Sequence, residues 1–324
     1  MATTTSAVID RREAQDEKPS ITYRYAGDRA LLVEYGEMEF DLTLNFFMLG
    51  ADAALRASPP RGLGETAPGF RSILVVYDPF VVSAGSLVDH LHSVHDSLQG
   101  EHGMTIPSRI VHMPIAFDDS ASRDAVERYL RTIRKDAPNA DGGTNIDYIV
   151  RYNGLRDREE LYAAVLGTEQ WTAFIGFFPG LPFTFPLDPR QTIFVPKYNP
   201  TRTWTAEGAV GVGGPCIAIY PVESAGGYQL FGRTIPIYDI QQRNEAFRDN
   251  PLLLRPGDRL QFHRVDEDEL DRTFEDVHAD RYRYRIEDSP FDVGAFLDWL
   301  PTIAGEADEH RRRREAAAAE TPVP

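Results

Sequence analysis

A chain of 324 residues with 42% hydrophobic side chains holds enough apolar material for one large domain or two ordinary ones. Its formal charge of -16 argues against nucleic acid as a partner, because a phosphate backbone needs a basic face, and reads as solubility in the cytoplasm. A lone cysteine, Cys216, excludes an internal disulfide framework, and no apolar run approaches the ~18–20 residues of a membrane span.

The first twenty residues are polar and lack a hydrophobic signal core, so 1–20 read as a disordered arm. From Ile21 the pattern alternates. TYRYAGDRALLVEYG gives two apolar runs around a Gly27-Asp28 turn. Asp41 heads an amphipathic helix, FRSILVVYDPF is a β-branched strand stopped by Asp78-Pro79, and SAGSLVDHLHSVHDSLQ is a second helix. Two helices among strands predict a small split-βαβ sandwich over 21–105. The second helix carries His90, His92 and His95, of which only His92 and His95 share a face. Without a matching set of carboxylates they read as a solvated face, and no metal site is expected.

A new unit opens at SRIVHMPIAF. Helical segments follow at SRDAVERYLRTIRKDA, NIDYIVRYNG and DREELYAAVLG, and then short strands and turns run to about Phe262. DEDELDRTFEDVHA reads as an acidic helix, RYRYRIED as a strand, and FDVGAFLDWLPTIAGEADEHRRRRE as a last helix whose tail frays. The fold class expected is α+β: a barrel-type domain over 106–290 and a C-terminal helix and tail over 291–324.

Residues 174–234 are the most informative stretch, crowded with glycine, proline and aromatic side chains. Linkers are poor in aromatics, so this composition points to short strands whose turns face a ligand. No HExxH, GxSxG or Walker-type motif occurs, and GVGGP precedes a strand rather than a helix. Cys216, in GVGGPCIAIYP, reads as a buried structural thiol. The chain has three lysines, and Lys197 sits in PKYNPTRT beside Tyr198, Asn199, Arg202 and Thr203. Its ammonium offers a point charge to a developing anion and Arg202 a bidentate clamp, but a solvated Pro-bounded loop fits the same residues equally well. In SAGGYQLFGRT, strand alternation puts Gln229, Phe231 and Arg233 on one face and Tyr228, Leu230 and Gly232 on the other.

GFFPGLPF, LDPRQ, PKYNPTRTW, GAVGVGG, IYPVESAGGYQLFGRT and LLLRPGD together resemble the carboxyltransferase subdomain C/D family. That family includes allophanate hydrolase subunit 1, the B component of 5-oxoprolinase and the carboxyltransferase region of urea carboxylase and urea amidolyase. GDRALLVEYG, FRSILVVYDP and SLVDHL extend the resemblance over about residues 20–300. It implies an N-terminal α+β subdomain followed by a cyclophilin-like β-barrel. It also implies one subunit of an assembly, inactive alone, that works with a homologous second half (allophanate hydrolase subunit 2-like) and with a biotin carboxylase. Such an assembly moves a carboxyl group to a small urea-like or cyclic amide substrate, with biotin and ATP held by partner chains. On this resemblance Lys197, Arg202 and Tyr198 are the expected catalytic residues. Asn199, Thr203, Tyr220, Tyr228, Gln229, Arg233, Phe178, Pro179 and Gly180 are the expected substrate contacts. Two alternatives remain: a 5-oxoprolinase component and a regulatory module of the kinase-inhibitor type.

Overall fold

The computed structural model describes residues 6–324 and divides into two compact units. One comprises Met1–Ser108 with Ser289–Thr302, the other Arg109–Asp288 with Ile303–Pro324. Of the arm expected at 1–20, residues 1–5 lie outside the described residues. The remainder departs from expectation, because Val8–Arg12 forms a strand, β1.

The first unit is built on a five-stranded antiparallel sheet. After β1 come β2 (Ile21–Tyr25), β3 (Ala30–Tyr35), helix α1 (Leu42–Ala57), β4 (Leu63–Pro68), β5 (Ser72–Tyr77) and helix α2 (Ala84–Ser97). The sheet order is β1-β2-β3-β5-β4. Leu31, Val33 and Tyr35 of β3 and Ile73, Val75 and Tyr77 of β5 are buried at alternate positions, as a period of two requires. As the sequence predicts, Asp41 caps α1, its carboxylate accepting from the Thr43 amide at 2.8 Å. A short strand, β6 (Thr105–Ile106), pairs with Phe291–Asp292 late in the chain.

Of the α2 histidines, His95 departs from the solvated-face expectation. His95 is buried, with the Tyr23 hydroxyl 2.8 Å from Nδ1 and the Tyr35 hydroxyl 2.9 Å from Nε2. Desolvation drives its imidazole down to about 3. The folded state therefore holds His95 neutral while the unfolded chain takes up a proton below its ordinary value of ~6.5. The stability this contributes is complete above pH ~6.5 and is lost as pH falls toward about 3, by up to ~1.4 kcal/mol per unit. Urea midpoints measured from pH 7 to 4 should fall more steeply for the native protein than for His95→Gln, which bonds both tyrosines without titrating. Equal slopes would overturn this assignment.

The second unit is a closed seven-stranded barrel with an added edge strand. In chain order its elements are β7 (Arg109–Phe117), α3 (Ser120–Thr132), α4 (Ile146–Tyr152), α5 (Arg158–Leu166), β8 (Gln170–Ile175) and β9 (Pro182–Pro186). Then come β10 (Ala209–Gly213), β11 (Cys216–Ile219), β12 (Gln229–Thr234), β13 (Arg259–Arg264), α6 (Glu267–His278) and β14 (Ile286–Asp288). The ring runs β12-β10-β11-β9-β8-β13-β7 and returns to β12. Closure rests on the nine-residue β7, whose Ile110–Ile115 pair in parallel with β13 along one edge. On the other edge its start pairs with β14 and its end with β12. Val111, Met113, Ile115, Val210, Val212, Ile217, Ile219, Phe231 and Leu260 fill the interior.

Two further segments differ from expectation. Of RYRYRIED only Ile286–Asp288 is a strand, because Tyr282 and Tyr284 pack edge to face at 5.1 Å instead. The last elements are β15 (Phe291–Asp292) and α7 (Val293–Glu320), and α7 stays helical through the tail expected to fray. There the Tyr148 hydroxyl donates to the Pro322 carbonyl at 3.1 Å. Among the described residues no helix is long and apolar enough to cross a membrane.

Candidate functional site

The glycine- and aromatic-rich stretch builds one wall of the barrel and a cavity of about 220 Å³ in it. Tyr220, Tyr228 and the backbone of Gly226 and Gly227 line the cavity, together with the apolar side chains of Phe183, Ala218 and Leu181. Phe183 is braced from behind by Phe174, stacked at 4.4 Å. The tyrosines sit against bare backbone. A Cβ on Gly226 would lie 2.2 Å from the Tyr220 hydroxyl, and one on Gly213 would lie 2.5 Å from the Tyr228 ring. Only glycine permits these approaches, which accounts for GVGGP and AGGY as packing devices. Two wider hollows of about 660 Å³, one at Lys135 and Arg151 and one at Arg190 and Arg313, have no Phe, Tyr or Trp in their walls.

Among the described residues Lys197 is the one charged side chain lining the aromatic cavity. Its Nζ stands 5.2 Å from the centre of the Tyr228 ring, within reach of a cation–π attraction. Behind the wall, burial pushes the Tyr228 phenol well above its ordinary range and the Cys216 thiol up to about 12. Cys216 is therefore a protonated structural thiol, as its context predicts.

The other expected site residues divide into those beside the cavity and those behind it. Tyr220 and Tyr228 line it together with Lys197. Phe178, Pro179 and Gly180 build the loop at its mouth, but the side chain facing the cavity there is their neighbour Phe177. Asn199 and Thr203 are exposed and outside the lining, and the Asn199 carbonyl accepts from Arg134 at 3.1 Å.

Tyr198, Arg202 and Gln229 are buried, and the protein itself engages their polar groups apart from Arg202 Nε, which has no hydrogen-bond partner among the described residues. The Tyr198 hydroxyl accepts from Asn145 at 2.6 Å. The Arg202 guanidinium lies 4.6 Å over the Tyr198 ring and donates to the Tyr228 carbonyl at 2.6 Å and to Thr205 at 3.2 Å. It holds the tyrosine wall from behind and is not free to clamp a carboxylate. Gln229 accepts from Asn139 at 2.9 Å and donates to the Pro196 carbonyl at 2.9 Å.

Arg233 is elsewhere. It covers the Phe274 ring at 4.4 Å and donates to the Glu207 carbonyl at 2.9 Å. The expected common face of Gln229 and Arg233 fails for a local reason. Between β10 and β12, Val210 pairs with Gly232 and Gly211 with Leu230, so Phe231 is an extra residue. Such a bulge reverses the alternation, and the two side chains diverge.

Two asparagines escaped the sequence reading. Asn145 donates to the Asn139 carbonyl at 2.7 Å as well as to Tyr198, and its Oδ1 accepts from the Leu230 amide at 2.9 Å. Asn139 continues the network to Gln229. A lone Asn before a short helix has no periodic signature, so only the fold discloses the role.

The match to the family described as carboxyltransferase domain, subdomain C and D, covers residues 21–248. The chain is 37% identical over 308 residues to urea amidolyase of Lachancea kluyveri, covering 93% of this chain and 16% of that protein. It is 28% identical over 251 residues to the B component of 5-oxoprolinase of Bacillus subtilis, covering 76% of this chain and 95% of that one. The solved urea amidolyase of K. lactis superposes with a TM-score of 0.83 at 33% identity, over 98% of this chain and 20% of that structure. This chain thus spans a small fraction of the amidolyases it matches. With a closed barrel, a separate α+β unit and this match across most of its length, the chain belongs to the carboxyltransferase subdomain C and D family.

Proposed function

We propose that this chain is one subunit of a cytoplasmic carboxyl-transfer assembly and receives a small urea-like substrate in the Lys197–Tyr220–Tyr228 cavity. The observation carrying this reading is a single ammonium set at an otherwise uncharged pocket walled in part by Phe177, Phe183, Tyr220 and Tyr228. When a carboxyl group passes to an amide nitrogen, negative charge grows on the oxygens of the group in transfer. Lys197 is exposed in this chain, so its ammonium stabilises that charge strongly only once a second half covers the cavity and excludes water. A carboxylated biotin on a partner chain would supply the carboxyl group and leave as biotin, and a biotin carboxylase partner would recarboxylate it at the expense of ATP. A homologous second half completes the site. The likeness to urea amidolyases supports urea as the acceptor.

A second reading, ATP-dependent opening of a cyclic amide, draws on one observation. The match covers 95% of the B component of the Bacillus subtilis 5-oxoprolinase, a protein of comparable extent. Co-expression with a homologous second half and a biotin carboxylase separates the two. ADP release that depends on urea and bicarbonate supports carboxyl transfer, and release that depends on 5-oxoproline supports the lactam reaction. No turnover with either substrate in the full assembly would overturn a catalytic role.

A further inference from the structure

The loop joining β8 to β9 holds an exposed aromatic at the cavity mouth in a costly conformation. Phe177 has φ of 67° and its side chain is 80% exposed, yet it lines the cavity. The Phe178 amide donates to the Gly176 carbonyl at 2.8 Å, two residues back, which closes a γ-turn around Phe177. With a positive φ at its centre this is the rare, strained form of that turn. The rest of the loop fixes it there. Leu181 donates to the Phe178 carbonyl at 3.1 Å across Pro179 and Gly180, where Gly180 has φ of 81°, the signature of a type II turn. Gly176 then donates to the Leu181 carbonyl at 3.1 Å and seals the loop. Phe178 packs edge to face against Phe177 at 4.7 Å and braces the ring.

A bulky residue at positive φ and in solvent has no folding advantage over glycine at this position. Strain of this kind persists where a function needs the side chain placed. The ring lines the same cavity as the side chains of Leu181, Phe183, Tyr220 and Tyr228.

We propose that Phe177 is a specificity-determining cap, which stacks on the flat face of a planar ureido or amide group seated in the cavity. The planar class rests on the carboxyl-transfer reading; the cap itself rests on the loop and the aromatic walls. Aromatic stacking of this size corresponds to roughly a tenfold change in affinity.

The test is an NMR titration of the full chain with 2-imidazolidinone, a small cyclic urea. Phe177→Ala should weaken binding roughly tenfold, while Phe177→Tyr stays within about twofold of the native protein. Phe177→Gly, whose backbone adopts positive φ freely, should lose the ring's contribution with its fold intact and match Phe177→Ala. No saturable binding by the native protein, or equal affinity for Phe177→Ala, overturns the cap. In the assembled enzyme the same variant should raise KM for urea with kcat nearly unchanged. Turnover with an unaltered KM overturns the cap and leaves carboxyl transfer standing. Ring-dependent binding of 2-imidazolidinone with no turnover overturns carboxyl transfer and leaves the cap standing.

Discussion

Replacing Lys197 by alanine should lower kcat/KM of the assembled enzyme by roughly 10²–10³-fold and leave the melting temperature within about 2 °C of the native value. Both halves of this expectation follow from the position of the side chain. Lys197 is exposed, and its ammonium has one contact that matters, the face of Tyr228 at 5.2 Å. An exposed cation–π contact contributes only about 0.5–1 kcal/mol, so the fold barely registers its loss. Catalysis is different, because every other residue lining the cavity is neutral. The nearby Arg202 cannot substitute, since its Nη groups are held by the Tyr228 carbonyl and Thr205 behind the wall. Lys197→Arg should recover part of the rate: the charge returns, but as a wide planar guanidinium where a compact ammonium fitted. Steady-state kinetics of both variants alongside their melting curves check this. An unchanged kcat/KM for Lys197→Ala would remove the cation from the mechanism.

How much of this was legible beforehand depends on the range of the forces involved. Periodicity and capping exposed α1 through Asp41 and the alternating strands β3 and β5, because those signals are local. Strand β1 was missed: only Val8 and Ile9 of its five residues are apolar, and it is defined by pairing with β2 rather than by its own composition. Composition also found the cavity wall, since glycines packed under tyrosine rings leave a dense mixture of Gly and aromatics in the sequence. Which side chains face the cavity was legible only for Lys197, Tyr220 and Tyr228. One extra residue in β12 reversed the expected faces, and a loop's worth of polar residues turned inward to bond one another. The motif PKYNPTRT thus contributes Lys197 and Thr201 to the cavity and keeps Tyr198 and Arg202 behind it.

Asn145→Ala should destabilise the barrel unit by about 3–5 kcal/mol, an effect far out of proportion to the atoms removed. Three groups lose their partner at once: the Asn139 carbonyl, the Tyr198 hydroxyl and the Leu230 amide. All three residues are essentially sealed from solvent, so no water replaces the amide. Each orphaned group costs about 1–3 kcal/mol, with some relaxation reducing the sum. Tyr198→Phe removes only one of these bonds and keeps the ring beneath Arg202, so it should cost about 1 kcal/mol. The two variants also separate stability from function. Tyr198 anchors the segment that carries Lys197, and the same asparagine fixes Leu230 two residues after Tyr228. Asn145→Ala therefore loosens both sides of the cavity, and kcat/KM should fall even at temperatures where the protein remains folded. Tyr198→Phe should retain most of its rate, since a catalytic phenol is not what the structure makes of that residue. Urea denaturation together with kinetics at low temperature measures both effects. A cost under 1 kcal/mol for Asn145→Ala, or a large rate loss for Tyr198→Phe with stability intact, would return Tyr198 to the chemistry and overturn its assignment as an anchor.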